Sequence, residues 1–263
     1  CISCGKCAKV CKMDVDVTKT PNHTECIRCG MCIRACPTNA ICFRYSFGGG
    51  EKTTKKANME FFEGTLNGVE VVIVRSGIGK VNAGICTQIL ADLFDVTHII
   101  NTGIAGSLDA QIDIGDIVVS TDVLQHDMDV RVFGYPLGEI PQLGTLSFPA
   151  DERMASLARS VCEKVNTEVK VFSGRIVSGD QFICDKEVKD KLVENFHPLC
   201  TEMEGAAIGQ AAYLNEIPFV ILRAISDKAD NSAEMDYPTF EKKALCETCG
   251  RVYCGIVGYI QYV

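Results

Sequence analysis

Two copies of one cysteine pattern near the start of the 263-residue chain restrict its fold more than any other feature. Both copies have the spacing C-x2-C-x2-C-x3-C, and a proline follows the second. The cysteines are Cys1, Cys4, Cys7, Cys11, Cys26, Cys29, Cys32 and Cys36. Sulfurs this close together cannot form independent disulfides, and soft thiolates select iron–sulfur clusters or zinc. Because zinc sites usually separate C-x2-C pairs by longer loops, the pattern favours two [4Fe-4S] clusters.

The overall composition is that of one large globular core with a small appendage. Hydrophobic residues make up 47% of the chain, but no apolar run approaches the roughly 18–20 residues of a membrane span. The formal net charge is −8, whereas nucleic-acid binding requires a basic surface. We therefore expect neither a membrane nor a nucleic-acid partner. Because the clustered cysteines are typical of metal ligands and not of disulfides, we expect a reducing, cytoplasmic compartment.

A glycine-rich junction divides the chain. Three consecutive glycines end at Gly50, and a polar stretch with three lysines follows them, which is typical of a linker. The predicted divisions are a cysteine-rich domain at 1–47, a linker at 48–56, a large domain at 57–245 and an atypical tail at 246–263.

In the large domain, β-type runs alternate with runs of helical periodicity. The predicted strands are Val69–Arg75, Thr97–Asn101, Asp116–Ser120, Val169–Phe172 and Ile217–Ala224. The predicted helices are Lys80–Asp95, Asp151–Lys164 with Asp151 as its cap, Asp185–Glu194 and Glu204–Asn215. This alternation predicts a three-layer α/β/α domain with a mainly parallel central sheet, where ligands bind beyond the carboxyl ends of the strands.

Three polar segments stand at the ends of apolar runs, where such a sheet exposes its site. They are Val177–Ile183, Thr201–Ala207 and Arg223–Asp227. Each also has a simpler interpretation. Glu202 and Glu204 suit the positive end of a helix, and a strand-end salt bridge with a helix cap would account for the third segment.

Together with other motifs, these segments resemble the 5′-methylthioadenosine/S-adenosylhomocysteine nucleosidases of the nucleoside phosphorylase superfamily. The resemblance runs from about Met59 to Lys243, and its other motifs are Ser76–Asn82, Asn101–Gly106, His126–Val130 and Phe133–Tyr135. It implies hydrolysis of the N9–C1′ bond of an adenosine thioether, without a cofactor. By the same resemblance, Asp227 is the general acid for adenine N7, Ser226 orients it, and Arg223 helps to place the water. Burial would favour the raised pKa that an acid needs at neutral pH.

The resemblance also implies a set of substrate contacts. Glu204 would hold the ribose hydroxyls with Met203 under the sugar, Phe182 would stack on adenine, and the other residues would line the base and alkylthio pockets. Those others are Ile78, Ala105, Gly106, Ile183, Glu202, Tyr135, Pro141 and Tyr237. Because Tyr135 and Pro141 would come from a neighbouring subunit, a homodimer is implied. His126 and Asp127 form a pair in sequence that we interpret as structural.

Residues 1–47 resemble the two-cluster ferredoxins, in which the fourth cysteine of each run binds the other cluster. The resemblance implies two ligand sets: Cys1, Cys4, Cys7 and Cys36, and Cys26, Cys29, Cys32 and Cys11. It also implies a redox partner for the clusters.

The chain departs from the nucleosidase pattern at its start. The resemblance implies a first apolar strand that ends in a methionine and a run of acids, and one glutamate of that run is the base that activates water. In this chain the cysteine-rich block and the linker stand in its place. A general base typically contributes about 10²–10⁴-fold to the rate, so we expect slow turnover. Two alternatives stay open: an electron carrier whose large domain binds nucleosides without catalysis, and a purine nucleoside phosphorylase.

Overall fold

The computed structural model of the protein describes residues 1–11, 14–20, 32, 35–38, 52–66 and 68–230. The chain divides into two compact units, Cys1–Ser46 and Phe47–Val263. In the first unit, a short helix α1 (Lys6–Lys9) carries Cys7. Several predicted features lie outside the described ranges, namely Cys26, Cys29, Tyr237 and the tail at 246–263.

The second unit opens with an antiparallel sheet in the order β1 (Lys52–Lys56), β2 (Met59–Leu66) and β3 (Val69–Val74). Part of the stretch at 48–56, which we predicted as a linker, is therefore a strand. Lys52 lies opposite Glu63 and Lys55 opposite Glu60, and both pairs form salt bridges. Opposite charges across a strand pair stabilise it, which explains how so polar a sequence joins a sheet.

A helix, α2 (Lys80–Phe94), follows β3 and packs on this sheet. Phe61 of β2 stacks on Phe94 with ring centroids 5.1 Å apart, and Met59 and Cys86 are buried beside them. The strand and helix that the sequence predicts here are confirmed.

The larger sheet has six strands. They are β4 (Ile99–Ser107), β5 (Ile117–Gln125), β6 (Phe148–Pro149), β7 (Val171–Ser178), β8 (Cys200–Glu202) and β9 (Phe219–Asp227). Their order is β6-β5-β7-β8-β4-β9, and β9 also pairs with β5, so five strands form a closed ring. Pairs β5–β7, β7–β8 and β4–β9 are parallel, whereas β4–β8, β5–β6 and β5–β9 are antiparallel.

The expectation of a mainly parallel sheet is thus only half right. Irregularities interrupt the ladder of β4 at Ala105/Gly106 and that of β5 between Ser120 and Val123. A bulge bends a strand and increases its twist, so these long strands can turn toward a second neighbour. Apolar periodicity reports burial and carries no information on strand direction.

The remaining helices are α3 (Glu152–Val165), α4 (Lys186–Phe196) and α5 (Gly205–Leu214). The Asp151 side chain accepts a hydrogen bond from the Met154 amide and so caps α3 as predicted. Asp185 caps α4 through the amides of Glu187 and Val188. All three predicted helices are confirmed.

Alternate residues of the central strands enter different cores. On β5, Val118 packs in the core with α5, and Ile117 packs in the core with α3. On β9, Ile221 packs in the core with α5, and Val220 packs in the core with α3. Since successive side chains of a strand point to opposite faces, helices cover both faces of the sheet, and the three-layer fold is confirmed.

The topology brings the carboxyl ends of four strands together. Gly106 of β4 is opposite Asp227 of β9, and Ser178 of β7 is opposite Glu202 of β8. The antiparallel contact between Gly106 and Thr201 joins the two pairs. The three polar segments of the sequence therefore end at one edge of the sheet.

Candidate active site

Asp227 is the last residue of β9, and its carboxylate is buried and held on both oxygens. Ser226 Oγ donates to Asp227 Oδ2 at 2.7 Å, and the Ala229 amide donates to Oδ1 at 2.8 Å. The Ser226 hydroxyl also lies 3.2 Å from the Ala105 carbonyl oxygen. The carboxylate orientation is therefore fixed by its neighbours along the chain and by β4.

Gly106 faces this carboxylate across the β4–β9 ladder. A Cβ built on Gly106 would lie 2.7 Å from Asp227 Oδ1 and 2.8 Å from the Ala229 Cβ. Real Cβ atoms do not approach other atoms so closely, so only glycine permits this juxtaposition. The structure thus brings together four predicted site residues, Ala105, Gly106, Ser226 and Asp227.

Glu202 and Arg223 form a second, fully buried group. Arg223 Nη2 donates to Glu202 Oε2, and the Ser178 hydroxyl donates to Oε1. The Glu204 and Gly205 amides at the start of α5 also donate to the Glu202 carboxylate, at 3.0 and 2.8 Å. Burial alone would raise the pKa of Glu202, but the Arg223 charge and these donors outweigh it, so the pKa is lowered. Glu202 is a carboxylate at neutral pH.

Glu204 differs from Glu202 although only Met203 separates them. Its Oε1 accepts a hydrogen bond from the Gly79 amide at 2.9 Å, which brings the loop after β3 to the start of α5. Burial raises the pKa of Glu204, and the charge of Glu202 raises it further, while Arg223 acts in the opposite direction. Glu202 and Glu204 therefore differ in proton affinity because the Arg223 guanidinium forms its ion pair with Glu202.

Asp127 joins the loop after β3 to the loop after β7. Its Oδ1 accepts from Lys80 Nζ at 2.6 Å, and its Oδ2 accepts from the Asp180 amide at 3.0 Å. Asp180 Oδ1 in turn accepts from the Lys80 amide at 2.8 Å. The structural role that we predicted for the pair at 126–127 is thus a link between two loops that carry predicted substrate contacts.

The predicted base-stacking segment lines a cavity. Its volume is about 350 Å³, and its walls are Gln181, Phe182, Ile183, Cys184, Asp185 and Val188. Phe182 is 45% exposed, while Ile183 is buried. Ile78 is 66% exposed on the loop after β3. Tyr135 and Pro141 lie between β5 and β6 and are partly buried.

Comparison with known proteins identifies the family of the chain. Residues 44–257 match the phosphorylase superfamily. The chain is 41% identical over 203 residues to the 5′-methylthioadenosine/S-adenosylhomocysteine nucleosidase of Halalkalibacterium halodurans, covering 77% of this chain and 86% of that protein. The chain belongs to the 5′-methylthioadenosine/S-adenosylhomocysteine nucleosidase family. The superfamily match includes part of the segment at 246–263 that we predicted as a separate tail.

Solved structures agree with this family. A nucleosidase of this family from Neisseria meningitidis, in complex with methylthio-immucillin-A, is 35% identical, with a TM-score of 0.75 and coverage of 79% of this chain and 89% of that chain. The futalosine hydrolase of Helicobacter pylori is 31% identical, also with a TM-score of 0.75, and the match covers 80% of this chain and 89% of that one.

Sequence reasoning gave no role in the candidate site to several residues that hold it together. Ser178 donates to the Glu202 carboxylate and accepts from the Ala206 amide at 2.7 Å. Lys80 and Asp127 connect two loops, and the Ala229 amide holds the Asp227 carboxylate. Ser178, Lys80 and Asp127 lie inside motifs that the resemblance had identified, so a polar residue beside a strand end was the available signal.

The second of the two cysteine runs lies in a match to another family. Residues 20–42 match the 4Fe-4S binding domain. The Sγ atoms of Cys1 and Cys11 accept amide hydrogen bonds at 3.4 and 3.3 Å, from Ser3 and Val15. Amide donors of this kind stabilise thiolates, so the donor set fits a cluster chemically. Among the described residues, no three cysteine, histidine or acidic side chains are grouped so that they could hold a metal ion.

Four cysteines outside the pattern lie in the described part of the large domain. Cys86, Cys162 and Cys200 are buried, and Cys184 is partly buried. Burial raises the pKa of Cys86 to about 11, so this thiol is protonated at neutral pH. None of the helices in the described part of the chain has the length and hydrophobicity that a membrane crossing requires.

Proposed function

We propose that the chain hydrolyses the N-glycosidic bond of 5′-methylthioadenosine and S-adenosylhomocysteine and releases adenine. The observation that carries this proposal is the geometry of Asp227. Its carboxylate is held by Ser226 and Ala229 against Gly106, in a chain that is 41% identical to a nucleosidase over most of its length. The reaction needs an acid at this position because adenine leaves readily only when N7 is protonated.

The proposed reaction requires Asp227 both as a protonated acid and as a carboxylate. As the C1′–N9 bond breaks, its electron pair goes to the purine, and Asp227 gives a proton to N7. The resulting carboxylate accepts the hydrogen bonds from the Ser226 hydroxyl and the Ala229 amide. These donors favour the charged form and so stabilise the product of proton transfer, while burial favours the protonated acid before it. Water then adds to C1′ and releases a proton to solvent, and Asp227 takes up a proton before the next turnover, so the protons balance.

The ribose and base contacts form the rest of the proposed site. Glu204 would accept hydrogen bonds from the ribose hydroxyls, with Met203 under the sugar. Phe182 and Ile183 line the cavity that would hold adenine, and an aromatic ring such as that of Phe182 can stack on a purine. The alkylthio group would lie against Ile78, with the other predicted lining residues, Tyr135, Pro141 and Tyr237.

Glu202 and Arg223 would act mainly by holding this site together. Both Glu202 oxygens already accept hydrogen bonds from protein groups, so its proposed role is to fix the start of α5. Among the described atoms, Arg223 Nε is a buried donor without a hydrogen-bond partner. A water molecule at this donor would satisfy it, which supports the proposed role of Arg223 in placing the attacking water.

We propose that turnover is slow because a cysteine-rich block stands where the nucleosidase family has its first strand and glutamate. Within the described residues, β1–β3 form one sheet and β4–β9 another, and none of these strands is an apolar run that ends in a methionine and a run of acids. A general base usually raises the rate by about 10²–10⁴-fold, so its loss should lower the rate by that factor. Glu204 is not a substitute, because its proposed partners are the ribose hydroxyls.

For the N-terminal domain at 1–47, we propose two [4Fe-4S] clusters and a redox partner that exchanges electrons with them. The ligand sets are those of the ferredoxin resemblance, Cys1, Cys4, Cys7 and Cys36, and Cys26, Cys29, Cys32 and Cys11. The clusters would supply electron transfer, which the hydrolysis does not use. The large domain would form a homodimer in which Tyr135 and Pro141 complete a neighbouring pocket.

Adenine release tests the proposed function. We expect the full chain, incubated with 5′-methylthioadenosine, to form adenine at a rate that added phosphate does not change, and the Asp227→Asn variant to form none. A rate that requires phosphate would identify a phosphorylase. Binding of 5′-methylthioadenosine without any adenine formation would support a non-catalytic nucleoside-binding domain.

A further inference from the structure

Lys189 on α4 has an unusual pair of partners. Its ammonium group donates to the Ser107 carbonyl oxygen at 3.0 Å and to the Lys228 carbonyl oxygen at 2.5 Å. Ser107 follows Gly106 at the end of β4, and Lys228 follows Asp227 at the end of β9. One side chain therefore connects the two strand ends that hold the proposed acid.

The environment of Lys189 shows that this contact is more than a surface feature. Burial lowers the pKa of Lys189, although the nearby charges of Asp230, Asp190 and Asp227 act in the opposite direction. Removing an ammonium group from water is costly unless its donors find partners, and two carbonyl oxygens accept hydrogen bonds from the Lys189 ammonium here. A partly desolvated charge therefore links the segments that follow β4 and β9.

The link lies where the strand ladder stops. The parallel pairing of β4 with β9 ends at Gly106 and Asp227, after an irregularity at Ala105. Beyond this point β4 stays paired with β8 through Ser107 and Cys200, and the Lys189 side chain links the β4 segment to the β9 segment. Gly106 has no space for even a methyl group beside Asp227. A small separation of the two segments would move the Asp227 carboxylate relative to the purine.

We infer that Lys189 is a positioning residue for the acid Asp227. The inference rests on the proposed function and extends it to a helix that has no predicted contact with substrate. α4 begins just after Phe182 and Ile183, so Lys189 also ties the helix next to the proposed adenine cavity to the strand that carries the acid. A displacement of about 1 Å can cost on the order of 10²-fold in rate, so the effect should appear in kcat.

Lys189→Met tests the inference because methionine keeps the length of the side chain and removes the charge. The matched control is Lys191→Met, an exposed lysine on the same helix. We expect Lys189→Met to lower kcat for adenine release by about 10–100-fold and to change KM by less than about threefold. Lys191→Met should keep both constants, and Lys189→Arg should recover part of kcat.

A second measurement separates this inference from the proposed function. Amide hydrogen exchange of residues 105–108 and 226–229 should be faster in Lys189→Met than in Lys191→Met, whether or not the chain is an active enzyme. If the native chain releases no adenine, the proposed function fails, and the exchange rates still decide whether Lys189 holds these segments. Equal kcat values for the two methionine variants, or equal exchange rates, would overturn the inference.

Discussion

Glu202 and Arg223 form an ion pair whose side chains are only 2% and 1% exposed. Breaking a buried pair leaves an uncompensated charge and costs about 3–5 kcal/mol. We therefore expect Arg223→Met to lower the free energy of unfolding by about that amount, as measured by denaturant titration. The double variant Glu202→Gln/Arg223→Met should recover part of the loss.

The surface pair of Lys186 with Asp190 is the control for that experiment. Its side chains are 71% and 59% exposed, so solvent screens the attraction. Lys186→Met should change the free energy of unfolding by less than about 1 kcal/mol. An equal loss for both variants would contradict the role that we give to the buried pair.

Gly106→Ala should remove catalysis with a smaller effect on the fold. The added methyl group would press on the Asp227 carboxylate, because the Cβ position is 2.7 Å from Oδ1. We expect kcat for adenine release to fall by about 10²-fold or more. Gly84→Ala in α2 is the matched change, since nothing lies within 4 Å of that Cβ, and it should stabilise the helix by about 0.5–1 kcal/mol. Full activity of Gly106→Ala would refute the proposed contact.

The Lys80–Asp127 contact predicts a pH dependence of stability. Burial alone would raise the pKa of Asp127, but the hydrogen bonds from Lys80 and the Asp180 amide outweigh it, so the pKa is lowered. The stabilisation is therefore complete above the unfolded value of about 3.9 and is lost as the pH falls through the lowered folded value.

Asp127→Asn should reveal this dependence. We expect it to lower the free energy of unfolding by about 1.5–3 kcal/mol at pH 7, and the gap to the native chain should narrow below about pH 4. Urea titrations at several pH values measure both quantities. A gap that stays constant down to pH 2 would show that the Asp127 charge does not contribute.

The proposed clusters predict the iron and sulfide content of the chain and its change in a cysteine variant. Two cubane clusters would give about eight irons and about eight sulfides per chain after anaerobic reconstitution. Cys7→Ser should lower both by about half, because it removes a ligand of one cluster. Cys86→Ser should leave them unchanged, since that thiol is buried in the core of the other unit. Equal iron contents in both variants would exclude the proposed ligand set.

The sequence predicted most elements of the large domain because apolar periodicity and helix caps are local signals. Asp151 was expected to cap α3, and it does so through the Met154 amide. The closure of the sheet by β9 and β5 was not predicted, because strand direction depends on bulges that the apolar pattern does not show.

The candidate site was likewise predicted from the sequence only in part. Asp227, Ser226 and Glu204 were found because they lie in motifs that the resemblance recognised. The contact of Lys189 with Ser107 joins residues 82 positions apart, and no local pattern predicts it. Side chains that act through backbone carbonyls of distant segments become visible only when the fold is known.

Adenine release by the full chain, measured with and without phosphate, tests the central claim most directly. We predict hydrolysis of 5′-methylthioadenosine that is independent of phosphate, is abolished by Asp227→Asn, and is about 10²–10⁴-fold slower than that of a nucleosidase with its first strand. The absence of adenine in both conditions, or a strict requirement for phosphate, would contradict the claim.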